Sequence, residues 1–168
     1  MKIRILTEED VSKYQVCRLN ALKTNPEAFS STYEREAAFS IETVKERINP
    51  TSDKFVLGAF DNKETLVGIV TFFRETGLKT KHKANVYGMY VAPEARGKGV
   101  AKHLMQELIN KAKEIDGVEQ LLLTVVQDNV SAKKLYNSLG FEVYGVERNA
   151  LKVNGEYLDE DWMVLFLN

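Results

Sequence analysis

The chain has 168 residues, 44% hydrophobic and 28% charged, the balance of a water-soluble domain around a single core. A formal net charge of −1 gives it no electrostatic reason to bind nucleic acid or an anionic membrane. The single cysteine, Cys17, excludes an internal disulfide and suits a reducing compartment, so a cytoplasmic protein is expected.

Ile3 to Leu6 reads as a short strand, too short an apolar run for a signal peptide, and no later run is long enough to span a membrane. Thr7 then caps a helix whose first turn is acidic, Glu8-Glu9-Asp10. Val11, Tyr14, Cys17 or Val16, Leu19 and Leu22 recur at helical spacing towards Lys23. Cys17 reads as core, because free cysteine behaves as a small hydrophobe. Asn25-Pro26 breaks this helix, and Ala28 to Phe39 reads as a mixed connector holding Tyr33, Glu34 and Glu36. Ser40 caps a second helix through Ile48, which Asn49-Pro50 stops. Phe55 to Phe60 and Leu66 to Arg74 read as strands around a turn at Asp61-Asn62-Lys63-Glu64. Thr76 to Lys83 is a solvated basic loop.

Val86 to Val91 has the apolar and aromatic content of a buried strand, and Pro93 ends its ladder. Arg96-Gly97-Lys98-Gly99-Val100-Ala101 leads at once into an amphipathic helix with Val100, Ala101, Leu104, Met105, Leu108, Ile109 and Ala112 on one stripe. His103 falls outside that stripe and reads as exposed. A strand, a glycine turn and a helix start together make an anion site, since first-turn amides have no intrahelical partner and the dipole favours negative charge. A Walker loop is excluded, because Lys98 is followed by Gly99 and not by Ser or Thr. A dinucleotide fingerprint fails at Lys102, where a closing small residue is needed.

Asp116-Gly117 ends the helix, and Gln120 to Val126 is a nearly continuous apolar run, as a fully buried strand shows. Ser131 to Tyr136 forms a short helix closed by Gly140. Val143 to Arg148 and Asp161 to Leu167 read as the last strands, with a tight turn at Asn154-Gly155 between them. Asp159, Glu160 and Asp161 read as a solvated acidic strand end.

Two of these runs carry a resemblance. Arg96-x-x-Gly99-x-Ala101 followed, one helix and one strand later, by Asn129-x-Ser131-Ala132-x-x-Leu135-Tyr136-x-x-x-Gly140-Phe141 resembles the two halves of the cofactor site in the GNAT family of N-acetyltransferases. The resemblance is close from Phe55 to Phe141 and is one of general layout over the first fifty residues. It implies an α/β (α+β) fold in a single domain over residues 1–168: a mixed, mostly antiparallel sheet, splayed between the strands ending at Val91 and Val126 and flanked by about four helices. It implies acetyl-CoA as cosubstrate and no metal. Met89, Tyr90 and Val91 would run along the pantetheine arm, with Asn129 near it, and the amides of Arg96, Gly97, Lys98, Gly99, Val100 and Ala101 would hold the pyrophosphate. The Met89 amide would face the thioester oxygen, and Tyr136 would serve the departing thiolate. By their own context, Asn129 also suits a helix cap and Tyr136 a core aromatic.

The activity so implied is direct acetyl transfer to a primary amine, on a small molecule or a peptide N-terminus, without a covalent enzyme intermediate. Many family members place a Glu near the position of Asn85, which cannot take a proton. Glu34, Glu36 and Tyr87 are the candidates for a replacement base. The family's acceptor side would contain Glu34, Glu36, Asp159, Glu160 and Asp161, which favours a cationic amine. The alternative is a domain that senses an acyl-CoA and transfers nothing; the loss of the base position favours it and Tyr136 opposes it. A homodimer is compatible with either reading.

Overall fold

The computed structural model describes residues 1–168. Its strands are β1 (Lys2–Ile5), β2 (Lys54–Phe60), β3 (Leu66–Arg74), β4 (Lys83–Val91), β5 (Gln120–Val126), β6 (Glu142–Val153) and β7 (Glu156–Phe166). All seven join one sheet in the order β1-β2-β3-β4-β5-β7-β6. Neighbours are antiparallel except β4 and β5, whose parallel pairing requires a crossover. The helix α4 (Val100–Glu114) supplies it. The other helices are α1 (Val11–Thr24), α2 (Tyr33–Ala37), α3 (Ile41–Ile48) and α5 (Val130–Ser138).

The apolar stripes account for the packing. Leu104, Met105, Leu108 and Ala112 of α4 are fully buried against one face of the sheet, beside the stacked rings of Phe55 and Phe72 at 4.8 Å. Tyr14, Cys17 and Ala21 of α1, with Val44 and Ile48 of α3, form a second cluster that includes Val56, Ile69 and Tyr90 of the sheet. Burial pushes the Cys17 thiol up to about 12, so it is an inert core residue, as its position on the stripe suggests. Val16, the alternative to Cys17 on that stripe, is exposed.

Two features differ from the expected layout. The connector before Phe39 contains α2, a five-residue helix capped by Thr32, whose hydroxyl accepts from the Arg35 amide at 3.2 Å. Five residues are too few for a helical period to stand out, and the count of α-helices is five rather than about four. The last two strands are also longer than the apolar residues alone indicate. They meet at Asn154 and Gly155, with φ of 49° and 82°, the paired positive values that a two-residue hairpin turn needs. Most of β6 and the turn end of β7 are solvated, so no alternation marks them.

The three N-terminal helices are tied by one buried carboxylate. Arg18 of α1 donates from Nε to Oε2 and from Nη2 to Oε1 of Glu36 in α2, at 2.9 and 2.8 Å, and Arg47 Nη1 of α3 also donates to Oε2 at 2.9 Å. Burial alone would raise the Glu36 pKa; the hydrogen bonds and charge of Arg18, then the bond from Arg47, outweigh it and bring it down to about 2. A depressed carboxylate contributes stability that is complete above its unfolded value and is lost as pH falls through the folded one. Between about pH 4.5 and 2 the protein is therefore expected to lose about 3 kcal/mol through this group alone. Urea unfolding across that range checks it. Glu36→Gln should be less stable at neutral pH but flatter below pH 4.5, and parallel curves would remove Glu36 from the account.

Candidate active site

The pairing of β4 with β5 lasts for three residues, Lys83↔Gln120, Ala84↔Leu121 and Asn85↔Leu122. Beyond Asn85 the strands part. The gap opens into a cleft of about 1500 Å³ that reaches both faces of the sheet. Pairing of β4 with β3 also slips, between Ile69↔Tyr90 and Thr71↔Tyr87. This is a bulge, and Gly88 within it takes φ +62°, which a residue without Cβ adopts freely. The bulge inverts the alternation: Ala84 and Val86 pack in the α4 cluster and so do Met89 and Val91, while Tyr90 packs on the α1 side.

Gly97 and Gly99 follow with φ of 73° and 77°. A Cβ at Gly97 would meet nothing within 4 Å, so the loop stands open. The amides of Gly97 to Lys102 have no carbonyl partner, and the first helical amide to find one is that of His103, bonded to Gly99 O at 3.0 Å. Such a row of free donors at a helix start suits a diphosphate. Arg96 does different work. Its Nε donates to Val91 O at 2.9 Å and its Nη2 to Asn25 Oδ1 at 2.7 Å, so the guanidinium fastens the loop to β4 and to the end of α1. Lys98 alone of the expected cofactor residues does not line the cleft; its Nζ turns back to Glu94 O at 3.0 Å. Only its main chain is available to a ligand there.

Met89, Tyr90, Val91, Gly99, Val100 and Ala101 line the cleft, and so do Arg96 and Gly97. Asn129 and Tyr136 line it from the β5 side. Asn129 also caps α5, its Oδ1 accepting from the Ala132 amide at 3.2 Å. Tyr136 packs edge-on against Phe141 at 5.9 Å, yet its hydroxyl bonds to no protein group and is not enclosed. Burial raises this phenol to about 12. Asn129 is thus a helix cap and Tyr136 a core aromatic, and both also reach the cleft. No group of three His, Cys, Asp or Glu is placed to hold a metal ion.

The expected acids need correction. Glu36 lines the cleft but is spent on Arg18 and Arg47 and cannot act as a base. Glu34 is exposed on α2 outside the cleft lining. Tyr87 lines it, but burial and then Glu75 raise its phenol, so it stays protonated and accepts no proton. Asp161 is not solvated: Lys133 at 2.6 Å and Gln127 at 2.8 Å bond it, and the Lys133 bond leads in lowering its pKa. Asp159 accepts from the Asn149 amide at 2.8 Å and does not line the cleft. Of the five carboxylates expected to draw a cation, Glu160 alone lines the cleft uncommitted. Burial, then Glu147, raises its pKa. A second cleft carboxylate was missed. Glu75 accepts from Asn85 Nδ2 at 3.1 Å, and its amide bonds Lys83 O at 2.9 Å. It follows β3 directly, and the antiparallel register of that hairpin sets it diagonal to Asn85.

A family model for the acetyltransferase (GNAT) domain matches residues 3–162, and the chain belongs to the GNAT family. It is 34% identical over 98 residues to the L-amino acid N-acetyltransferase AaaT of Escherichia coli (strain K12), a match covering 58% of this chain and 60% of that protein. The chain thus spans about three fifths of that curated relative. Its fold is that of a GNAT-family acetyltransferase from Streptococcus pneumoniae, at a TM-score of 0.88 with 20% identity over 98% of each chain. It is shared too by an acetyltransferase from Salmonella typhimurium solved with its cofactor acetyl-CoA, at a TM-score of 0.79, 22% identity and coverage of 100% and 94%.

The free amides give a test. Gly99→Asp adds a carboxylate to the loop, and Gly99→Asn adds the same shape and the same positive-φ strain without charge. Acetyl-CoA should bind the Asp variant about 10–10²-fold more weakly than the Asn variant by calorimetry. Equal affinities would remove this loop from the cofactor site.

Proposed function

We propose that the chain, as one domain over residues 1–168, transfers an acetyl group from acetyl-CoA directly to a primary amine, on a small molecule or a peptide N-terminus. The observation that carries this reading is the run of unpartnered amides from Gly97 to Lys102 at the mouth of the gap between β4 and β5. The structural neighbour solved with acetyl-CoA supports the choice of cosubstrate. The buried, inert Cys17 leaves no cysteine to carry the acetyl group covalently and suits a reducing, cytoplasmic setting.

When bound, acetyl-CoA supplies an activated thioester. The amides of Gly97 to Lys102 would hold its diphosphate, and Asn129 and the edge of β4 from Met89 to Val91, which has no strand partner towards β5, would hold the pantetheine amides. The Met89 amide would donate to the thioester oxygen as charge develops on it. The acceptor arrives as an ammonium ion, and freeing its lone pair at pH 7 costs about 4.6 kcal/mol for a pKa of about 10.4. Glu160 would take that proton, directly or through water, because it lines the cleft without a cation partner and burial raises its pKa above the ordinary carboxylate value. Glu75 would help to hold the ammonium beside Asn85. Tyr136 would donate a hydrogen bond to the departing thiolate. Full proton transfer from a phenol at about 12 to a thiolate whose acid has a pKa of about 8.5 is uphill by about 5 kcal/mol, so the bond and not the transfer is its contribution.

Release of thiol from acetyl-CoA against a panel of amines tests the reading; binding of acetyl-CoA without release for any amine would favour the sensing domain instead. Tyr136→Phe should lower kcat by about 10²–10³-fold with acetyl-CoA affinity unchanged, the loss expected for one donor to a developing charge. An unchanged kcat would leave Tyr136 a core aromatic. Glu160 must be ionised to act, so kcat/KM should fall as pH drops through a pKa above the ordinary carboxylate value. Glu160→Gln should lower kcat/KM by about 10²-fold or more and abolish that limb. A variant that keeps the native pH profile would exclude Glu160 as the base.

A further inference from the structure

We propose that Arg18 forms a carboxylate subsite for the acceptor, so that the preferred substrate is an amine that also carries a carboxylate, an α-amino acid or a close relative. The inference rests on the acetyl-transfer reading above and names its acceptor class.

The Arg18 side chain is 8% exposed, and its guanidinium lies over the Phe29 ring at 4.8 Å. Nε and Nη2 are taken by Glu36. Nη1 is enclosed and has no partner in the chain. A buried donor left unpaired has lost its hydration with nothing in return, and such groups are rare without a reason. The charge is unbalanced as well. Arg18 and Arg47 share the single carboxylate of Glu36, which leaves the cluster with an excess positive charge. An anionic group would complete both the hydrogen bond and the charge.

The position of Nη1 says which anion. It lies 3.6 Å from the point a Cβ on Gly88 would occupy, and Arg18 and Gly88 line the same cleft. The missing Cβ leaves room between the guanidinium and the bulge. Gly88 directly precedes Met89, the residue placed beside the thioester, so a carboxylate on Nη1 belongs close to the attacking nitrogen, as an α-carboxylate is. The diphosphate is a poor fit to this donor. Arg18 stands on α1, which packs on one face of the sheet, whereas the free amides begin α4, which packs on the other. The acids Glu75 and Glu160, neither of which is paired with a cation, line the same cleft, so it offers both signs of charge, the complement of a zwitterion.

Matched pairs on the native protein test this. Thiol release is measured for several α-amino acids and for the corresponding amino-acid amides and decarboxylated amines. The acids should be preferred by about 10–10²-fold in kcat/KM, mainly through KM. In the Arg18→Gln/Glu36→Gln double variant, which replaces the ion pair with a neutral hydrogen-bonded one, that preference should collapse towards unity, and Arg18→Lys should restore part of it. Amides or simple amines accepted as well as acids would overturn the subsite, and so would an acid preference unchanged in a folded double variant. The native comparison decides the question even where the variant fails to fold. Turnover of amines with no acid preference overturns the subsite and leaves the transfer reading standing, whereas no thiol release with any amine overturns both.

Discussion

The site depends on how early β4 lets go of β5. After Asn85↔Leu122 neither strand finds the other, although each is held firmly on its far side, β4 by β3 and β5 by β7 along its whole length. Facing strand edges would ordinarily close or be covered, because unpaired backbone groups are costly away from water. Here the sheet cannot close. The α4 crossover and its cluster hold β4 and β5 from one face, and the flanking strands fix them from both sides. The parted edges are left as two rows of hydrogen-bonding groups, to which an extended ligand with amides of its own is complementary.

The bulge at Gly88 gives this gap two different faces. Without it, one side of β4 would keep a single alternation from Ala84 to Val91. With it, Met89 and Val91 return to the α4 side, while Tyr90 joins the α1 side and meets Thr24 at 3.2 Å through its hydroxyl. The same irregularity brings a glycine opposite Arg18. In the proposed reaction, this single backbone feature both aligns the strand edge for acetyl-CoA and clears space for the acceptor.

Much of this was legible in the sequence, where local pattern decides. The α4 stripe, the cap at Ser40, the continuous apolar run of β5 and the glycine turn before Val100 all fold as their residues suggest. What could not be read was the partner of each charge. Arg18 falls on the inner face of α1 and is consumed by Glu36, 18 positions away and in a helix too short to recognise. Arg96 looks like a phosphate ligand in a phosphate loop, yet it bonds Asn25, 71 positions away. Long-range pairing of side chains depends on tertiary register, which no single motif encodes. The Glu75 contact with Asn85 is the partial exception, since a hairpin register can be inferred from two facing strands.

The acids of β7 show how finely that register matters. Asp161 and Glu160 are adjacent, and alternation sends them to opposite faces of the sheet. Asp161 meets Lys133 of α5, which neutralises it, and Gln127, just past the end of β5, whose amide donates to it. Glu160 pairs across the strands with Val126 on one side and Glu147 on the other. It finds no cation, and burial and a second carboxylate both favour its protonated form. Trp162 Nε1 bonds Glu147 at 3.3 Å and so fixes where that second carboxylate sits. A shift of one residue in β7 would turn both side chains to the opposite faces, taking Asp161 to the face Glu160 now occupies and Glu160 to the face of α5. Which carboxylate faces this cleft without a cation is thus a property of strand register, and a residue-by-residue reading of an acidic run cannot reach it.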